Sequence, residues 1–133
     1  MNEDELLARF GLIPVSADLP EIRRLIESLT ADRQRRDNEP LKTLCIQLFS
    51  AGIPSDALLI YKAKRSSFDA ACYIDIQLVC GAGLEATKSF LRESCEPEAK
   101  ELLAVLQNNR GDFDGFTPEG HLDFYRHYYE RSS

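Results

Sequence analysis

Residues 46–52 read Ile-Gln-Leu-Phe-Ser-Ala-Gly, and residues 76–83 read Ile-Gln-Leu-Val-Cys-Gly-Ala-Gly. The closing glycines, Gly52 and Gly83, lie 31 positions apart. A hydrophobic residue follows each, Ile53 and Leu84, and an amphipathic stretch follows that. Helix, glycine stop and helix, repeated at this interval, is the pattern of stacked helical hairpins, in which no unit buries its apolar face alone.

The flanks extend the helical pattern. Ile22, Leu25, Ile26 and Leu29 fall at i, i+3, i+4 and i+7, one face of a helix. Asp18 suits its N-cap and Pro20 its first turn. Leu41, Leu44, Cys45 and Leu48 repeat the spacing, and Gly52 stands at a C′ position. Pro54 opens the next helix. Ser66 and Asp69 form a capping-box pattern that predicts a helix from Phe68 to Cys80, closed by Gly81 and Gly83. Leu84 to Arg92 and Pro97 to Asn108 follow. Thr117 and Pro118 begin a last helix, to about residue 130. The expectation is one all-α domain over 1–133, a small right-handed α-solenoid or helical-hairpin stack of about six to seven helices. Its repeat-like core spans about 41–94, and the helix at about 117–130 caps it.

Composition narrows the function. The net charge of −6 argues against a general nucleic-acid binder and suits a basic partner. No stretch has the ~20 apolar residues of a membrane helix. The acidic start, Met1 to Glu5, is not a secretory signal. Cys45, Cys72, Cys80 and Cys95 make no C-x-x-C pair and sit among apolar neighbours, as buried free thiols of a reducing cytoplasm would.

The stretch from Leu41 to Ser94 resembles two HEAT-like repeats of the short bacterial kind. Leu48, Ala51, Gly52, Leu59 and Ile60 carry the resemblance in the first, and Leu78, Ala82, Gly83, Phe90 and Leu91 in the second. The resemblance implies a curved right-handed stack and a role in binding other macromolecules.

Asp75 is the most informative single residue. On a continuous helix it would lie about 200° round from Tyr73, away from an exposed strip of Asp69, Tyr73 and Gln77. A carboxylate there must be paired. Either it bonds a neighbouring helix through Lys62, Lys64, Arg65 or Lys88, or it faces a cleft. Lys62, Lys64 and Arg65, with Lys88 and Arg92 on the next unit, form either a solvated face or a groove for an acidic peptide or phosphate. Arg33, Arg35 and Arg36 read as a solvated turn.

Half of the aromatic residues lie after residue 112, among them Tyr125, Tyr128 and Tyr129. They suit a cap over the open end of the stack, or a binding or dimer contact. His121 and His127 do not share a helix face for metal. Asp112-Phe113-Asp114-Gly115 fails as a calcium loop because Arg110 stands at its first ligand position. No P-loop and no G-x-S-x-G elbow is present. The expectation is a non-catalytic protein-binding module, an adaptor or inhibitor, of which a bacterial immunity-type protein is one form, with no cofactor, no metal and another protein as partner, a basic protein or a second copy docked through the C-terminal aromatic helix being the candidates. The alternative is an enzyme or small-ligand binder with a pocket around Asp75 and Tyr73.

Overall fold

The computed structural model describes residues 1–132. Among them are eight α-helices: α1 (Glu3–Phe10), α2 (Leu19–Ala31), α3 (Glu39–Phe49), α4 (Asp56–Lys64), α5 (Phe68–Tyr73), α6 (Leu84–Glu93), α7 (Pro97–Gln107) and α8 (Pro118–Ser132). Two short 3₁₀ segments, Ser16–Asp18 and Ile76–Cys80, complete the set, and no strand occurs among the described residues. The all-helical class holds, with more and shorter helices than the periodicity predicts. Among the described residues no helix is long and apolar enough to cross a membrane.

The first echo segment forms α3, the hub of the molecule. Every α3 residue except Glu39 and Lys42 is buried. The predicted stripe of Leu41, Leu44, Cys45 and Leu48 is therefore only part of a helix buried on nearly every side, its polar Thr43 and Gln47 included, as a central helix is. It packs against α1, α2, α4 and the Ile76–Cys80 segment. One buried cluster takes residues from every α-helix, from Leu6 of α1 to Tyr125 of α8.

The second echo segment departs from expectation. The predicted helix from Phe68 to Cys80 is broken. α5 ends at Tyr73, Ile74 and Asp75 are extended, and a 3₁₀ segment follows. Ile74, fully buried, pins the break into the core. The N-cap is Ser67, whose hydroxyl accepts from the Ala70 N–H at 3.0 Å, one residue beyond the predicted Ser66.

The glycines do more than stop helices. Gly52 and Gly83 have φ of +67° and +99°, conformations that side chains disfavour. Gly81 has an ordinary helical φ, yet a Cβ there would stand 2.4 Å from the carbonyl oxygen of Phe49. The two echo segments thus touch backbone to backbone where each turns. Their glutamines also act alike. Gln47 Nε2 donates to the carbonyls of Leu6 and Gly11 at 3.0 and 2.9 Å, holding α1. Gln77 Nε2 donates to the Asp112 carbonyl at 2.7 Å, holding the loop before α8.

Two arginines tie the helices laterally. Arg23 of α2 forms a bidentate pair with buried Asp56 of α4, at 2.9 and 3.0 Å. Arg35 corrects the solvated-turn reading: it donates to Leu29 O, to Asn38 Oδ1 at 2.9 Å and to Ser66 Oγ at 2.8 Å. The cysteines split. Cys45 and Cys80 are buried, and burial pushes both thiols up to about 12. Cys72 and Cys95 are exposed, against expectation.

Candidate functional site

The break after Ile74 decides where Asp75 goes. Its side chain is 30% exposed and makes its hydrogen bonds to α8. Its Oδ2 accepts from the Tyr125 hydroxyl, and His121 Nε2 lies 3.2 Å from the same oxygen. His121 and Tyr125 are four residues apart, so both point from one face of α8. Lys62, Arg65 and Lys88 take no part. Lys42 of α3 and Lys64 of α4 interact with Asp75 electrostatically. Burial alone would push the Asp75 carboxyl up. The bonds from His121 and Tyr125 and the charge of Lys42 outweigh it and hold the group below the usual carboxylate range. Burial, with Asp75 beside it, drives Tyr125 well above the ordinary phenol range.

Asp75 lines an open cleft of about 660 Å³ between α3, the Gln77 segment and α8. The Asp112–Gly115 loop, held by Gln77, supplies two further carboxylates, Asp112 and Asp114. Neither is in an ion pair among the described residues. The walls are aromatic. Phe116, Phe124 and Tyr128 line the cleft, and Phe124 is 58% exposed. The His121 ring stacks on Phe124, with centroids 6.1 Å apart, and meets Tyr125 edge-on at 5.3 Å. Lys42 Nζ lies 5.4 Å from the Tyr125 ring centre and 5.3 Å from that of Tyr128. The cleft already accommodates one ammonium group over aromatic faces.

The tyrosines of α8 have different tasks. Tyr125 is buried, Tyr129 shares a hydrogen bond of 2.9 Å with Thr43 Oγ1, and Tyr128 is 36% exposed at the cleft edge. The first two fasten α8 to the body and the third faces outward. Tyr73 is 42% exposed at the end of α5 and interacts electrostatically with Tyr128.

The predicted basic strip is not assembled as a unit. Lys62 and Arg65 line a separate cavity of about 880 Å³ with Arg33, Glu27 and Glu98. Arg65 is bonded to Glu101 at 2.6 Å and lies over the Tyr61 ring. Lys64 is turned inward to the Ala71 and Ile74 carbonyls. Lys88 pairs with Glu85 at 3.5 Å on its own helix, and Arg92 is exposed on α6.

Sequence reasoning singled out Asp75 but missed Lys42, His121, Phe124, Asp112 and Asp114 as its companions. Their convergence depends on a helix break and a long-range loop clamp. The one local signal was the density of aromatics in α8. Among the described residues no group of His, Cys, Asp and Glu is arranged to hold a metal. Comparison with family models, with curated proteins and with solved structures finds no match.

Proposed function

We propose that this chain is a non-catalytic cytoplasmic protein-binding module, an adaptor or inhibitor that receives a basic segment of its partner in the Asp75 cleft. The observation that carries the reading is the cleft's composition. Asp75, Asp112 and Asp114 face one cation, Lys42, across walls of Phe116, Phe124 and Tyr128. Carboxylates beside aromatic faces are what a lysine or arginine side chain seeks. The net charge of −6 speeds encounter with such a partner. The HEAT-like reading of residues 41–94, whose family binds macromolecules, points the same way, and an immunity-type inhibitor of a basic toxin is one form the module takes.

The alternative, a small-ligand or enzymatic pocket, draws on one observation: Asp75 and His121 line the cleft as a pair that could move a proton. Thr117, a hydroxyl that also lines the cleft, is taken up in accepting from the Gly120 N–H at 3.0 Å, so binding is the stronger reading.

The test is capture from native lysate with the wild-type chain and with an Asp112→Asn/Asp114→Asn/Phe124→Ser variant as parallel baits. A stoichiometric basic protein held by the first and lost by the second is the expected result. A partner indifferent to the substitutions, or a small molecule retained in place of a protein, overturns the proposal.

A further inference from the structure

Among the described residues, Lys42 is the one lysine or arginine that lines the Asp75 cleft, and its ammonium stands in an aromatic corner. The rings of Tyr125 and Tyr128 meet edge-on at 81°, with centroids 6.0 Å apart. Lys42 Nζ is 5.4 Å from the centre of the first and 5.3 Å from that of the second. It is thus nearly equidistant from two faces that stand almost at right angles. No carboxylate fastens it there, since Lys42 is in no ion pair among the described residues. Two rings and the attraction of Asp75, from beyond ion-pair distance, keep it in place.

The corner selects by shape as well as by charge. An ammonium is a compact charge that meets two perpendicular ring faces at once, whereas a planar guanidinium stacks on only one of them. The present occupant is itself a lysine. Tyr125 is 1% exposed, so its face takes no second cation while Lys42 stands over it. Lys42 also masks the acidity of the cleft. Asp75, Asp112 and Asp114 face Lys42 within it, and Lys64 acts on Asp75 and Asp112 from α4. With Lys42 swung out to solvent, the three carboxylates answer to Lys64 and to the His121 bond alone.

We infer that Lys42 is an internal stand-in for the partner: a lysine side chain of the bound basic segment displaces it from the Tyr125–Tyr128 corner, and its departure uncovers the carboxylates of the cleft. This rests on the proposed function and adds the residue type that the cleft selects and the step that opens it. The incoming segment wins the exchange because it brings more than one cation. Its lysine fills the corner while neighbouring cations on the same chain reach Asp112 and Asp114, and linked contacts reinforce one another.

The probes are acetylated, amidated tetralysine and tetra-arginine peptides. Each is titrated calorimetrically, at low ionic strength, into the full wild-type chain, into Lys42→Ala, and into Lys100→Ala, which removes an exposed charge on α7 outside the cleft. Tetralysine should bind Lys42→Ala at least about fivefold more tightly than wild type. Tetra-arginine should gain less, and Lys100→Ala should stay within about twofold of wild type, because a distant exposed charge is screened. A second readout needs no variant. In the free wild-type chain the Lys42 ε-methylene protons are shifted upfield by the two rings, and they should return to the ordinary lysine position as tetralysine saturates. Tetralysine binding that Lys42→Ala leaves unchanged or weakens, or saturation with the ε-protons still shifted, overturns the stand-in, and the cleft reading survives where the Asp112 and Asp114 amides move. A gain shared equally by Lys100→Ala or by tetra-arginine reduces the effect to net charge and also overturns it. Tetralysine that binds none of the three chains overturns both.

Discussion

Replacing Gly81 by alanine tests the backbone contact on which the packing of the two echo segments depends. The φ of −58° at Gly81 is one that alanine adopts freely, so any penalty is steric rather than conformational. The new Cβ would lie 2.4 Å from the Phe49 carbonyl oxygen, 3.2 Å from its carbon and 3.3 Å from its Cα. All three are backbone atoms at the end of α3, the most enclosed helix, so no rotamer change relieves them. Overpacking costs about 1–3 kcal/mol where side chains can shift, and a backbone obstacle puts this case at about 3 kcal/mol. For a chain of this size that lowers the melting temperature by roughly 10 °C. Gly83→Ala is the internal control. It meets nothing within 4 Å, but its φ of +99° is disfavoured for alanine. Its cost is conformational, about 1 kcal/mol, or roughly 4 °C. Thermal melts of both variants followed by far-ultraviolet circular dichroism give the comparison. Gly81→Ala melting within about 2 °C of wild type, or above Gly83→Ala, refutes the close approach.

Asp75→Asn should destabilise the chain by about 1–2 kcal/mol at neutral pH, since it removes a charged acceptor shared by His121 and Tyr125 and facing Lys42 and Lys64. Because the folded pKa of Asp75 is depressed, its contribution is present above the unfolded carboxylate range and fades as pH falls below about 4. Chemical denaturation across pH should therefore show wild type and variant converging in acid. Glu3→Gln should do the opposite. Burial, and Glu39 facing Glu3 from α3, raise the Glu3 pKa, so ionisation costs the fold stability as pH rises through that pKa. The substitution should stabilise the chain by about 0.5 kcal/mol at pH 7 and by nothing in acid, read from the same denaturation series.

Much of the fold was legible because its signals are local. The 3.6 period of Ile22, Leu25, Ile26 and Leu29, the prolines at helix starts and the left-handed glycines at Gly52 and Gly83 each act within one turn of chain. The break after Tyr73 was not legible. Ile74, Ile76, Leu78 and Val79 supply enough apolar residues to continue a helix, and only the demand of the core for Ile74 reverses that preference. The Phe68–Cys80 error then carried into the site: a helical Asp75 sent the search for partners to α4 and α6, whereas the extended residue reaches α8. Gly81 was read as a helix stop when its lack of a side chain serves a neighbouring backbone 32 positions earlier in sequence, at Phe49. Arg35 looked solvated for a similar reason, since its acceptor Ser66 is remote in sequence.

The cleft and the attachment of α8 are one structure. α8 is fastened by Tyr125 on Asp75 and Tyr129 on Thr43, polar contacts from aromatic side chains, and its aromatic rings wall the cleft. The residues that hold the helix in place therefore also shape the site. A charge brought to Asp75 acts on the same oxygen that secures Tyr125 and His121. The break frees Asp75 to dock α8, and the docked α8 brings Phe124 and Tyr128 to the wall of the same cleft.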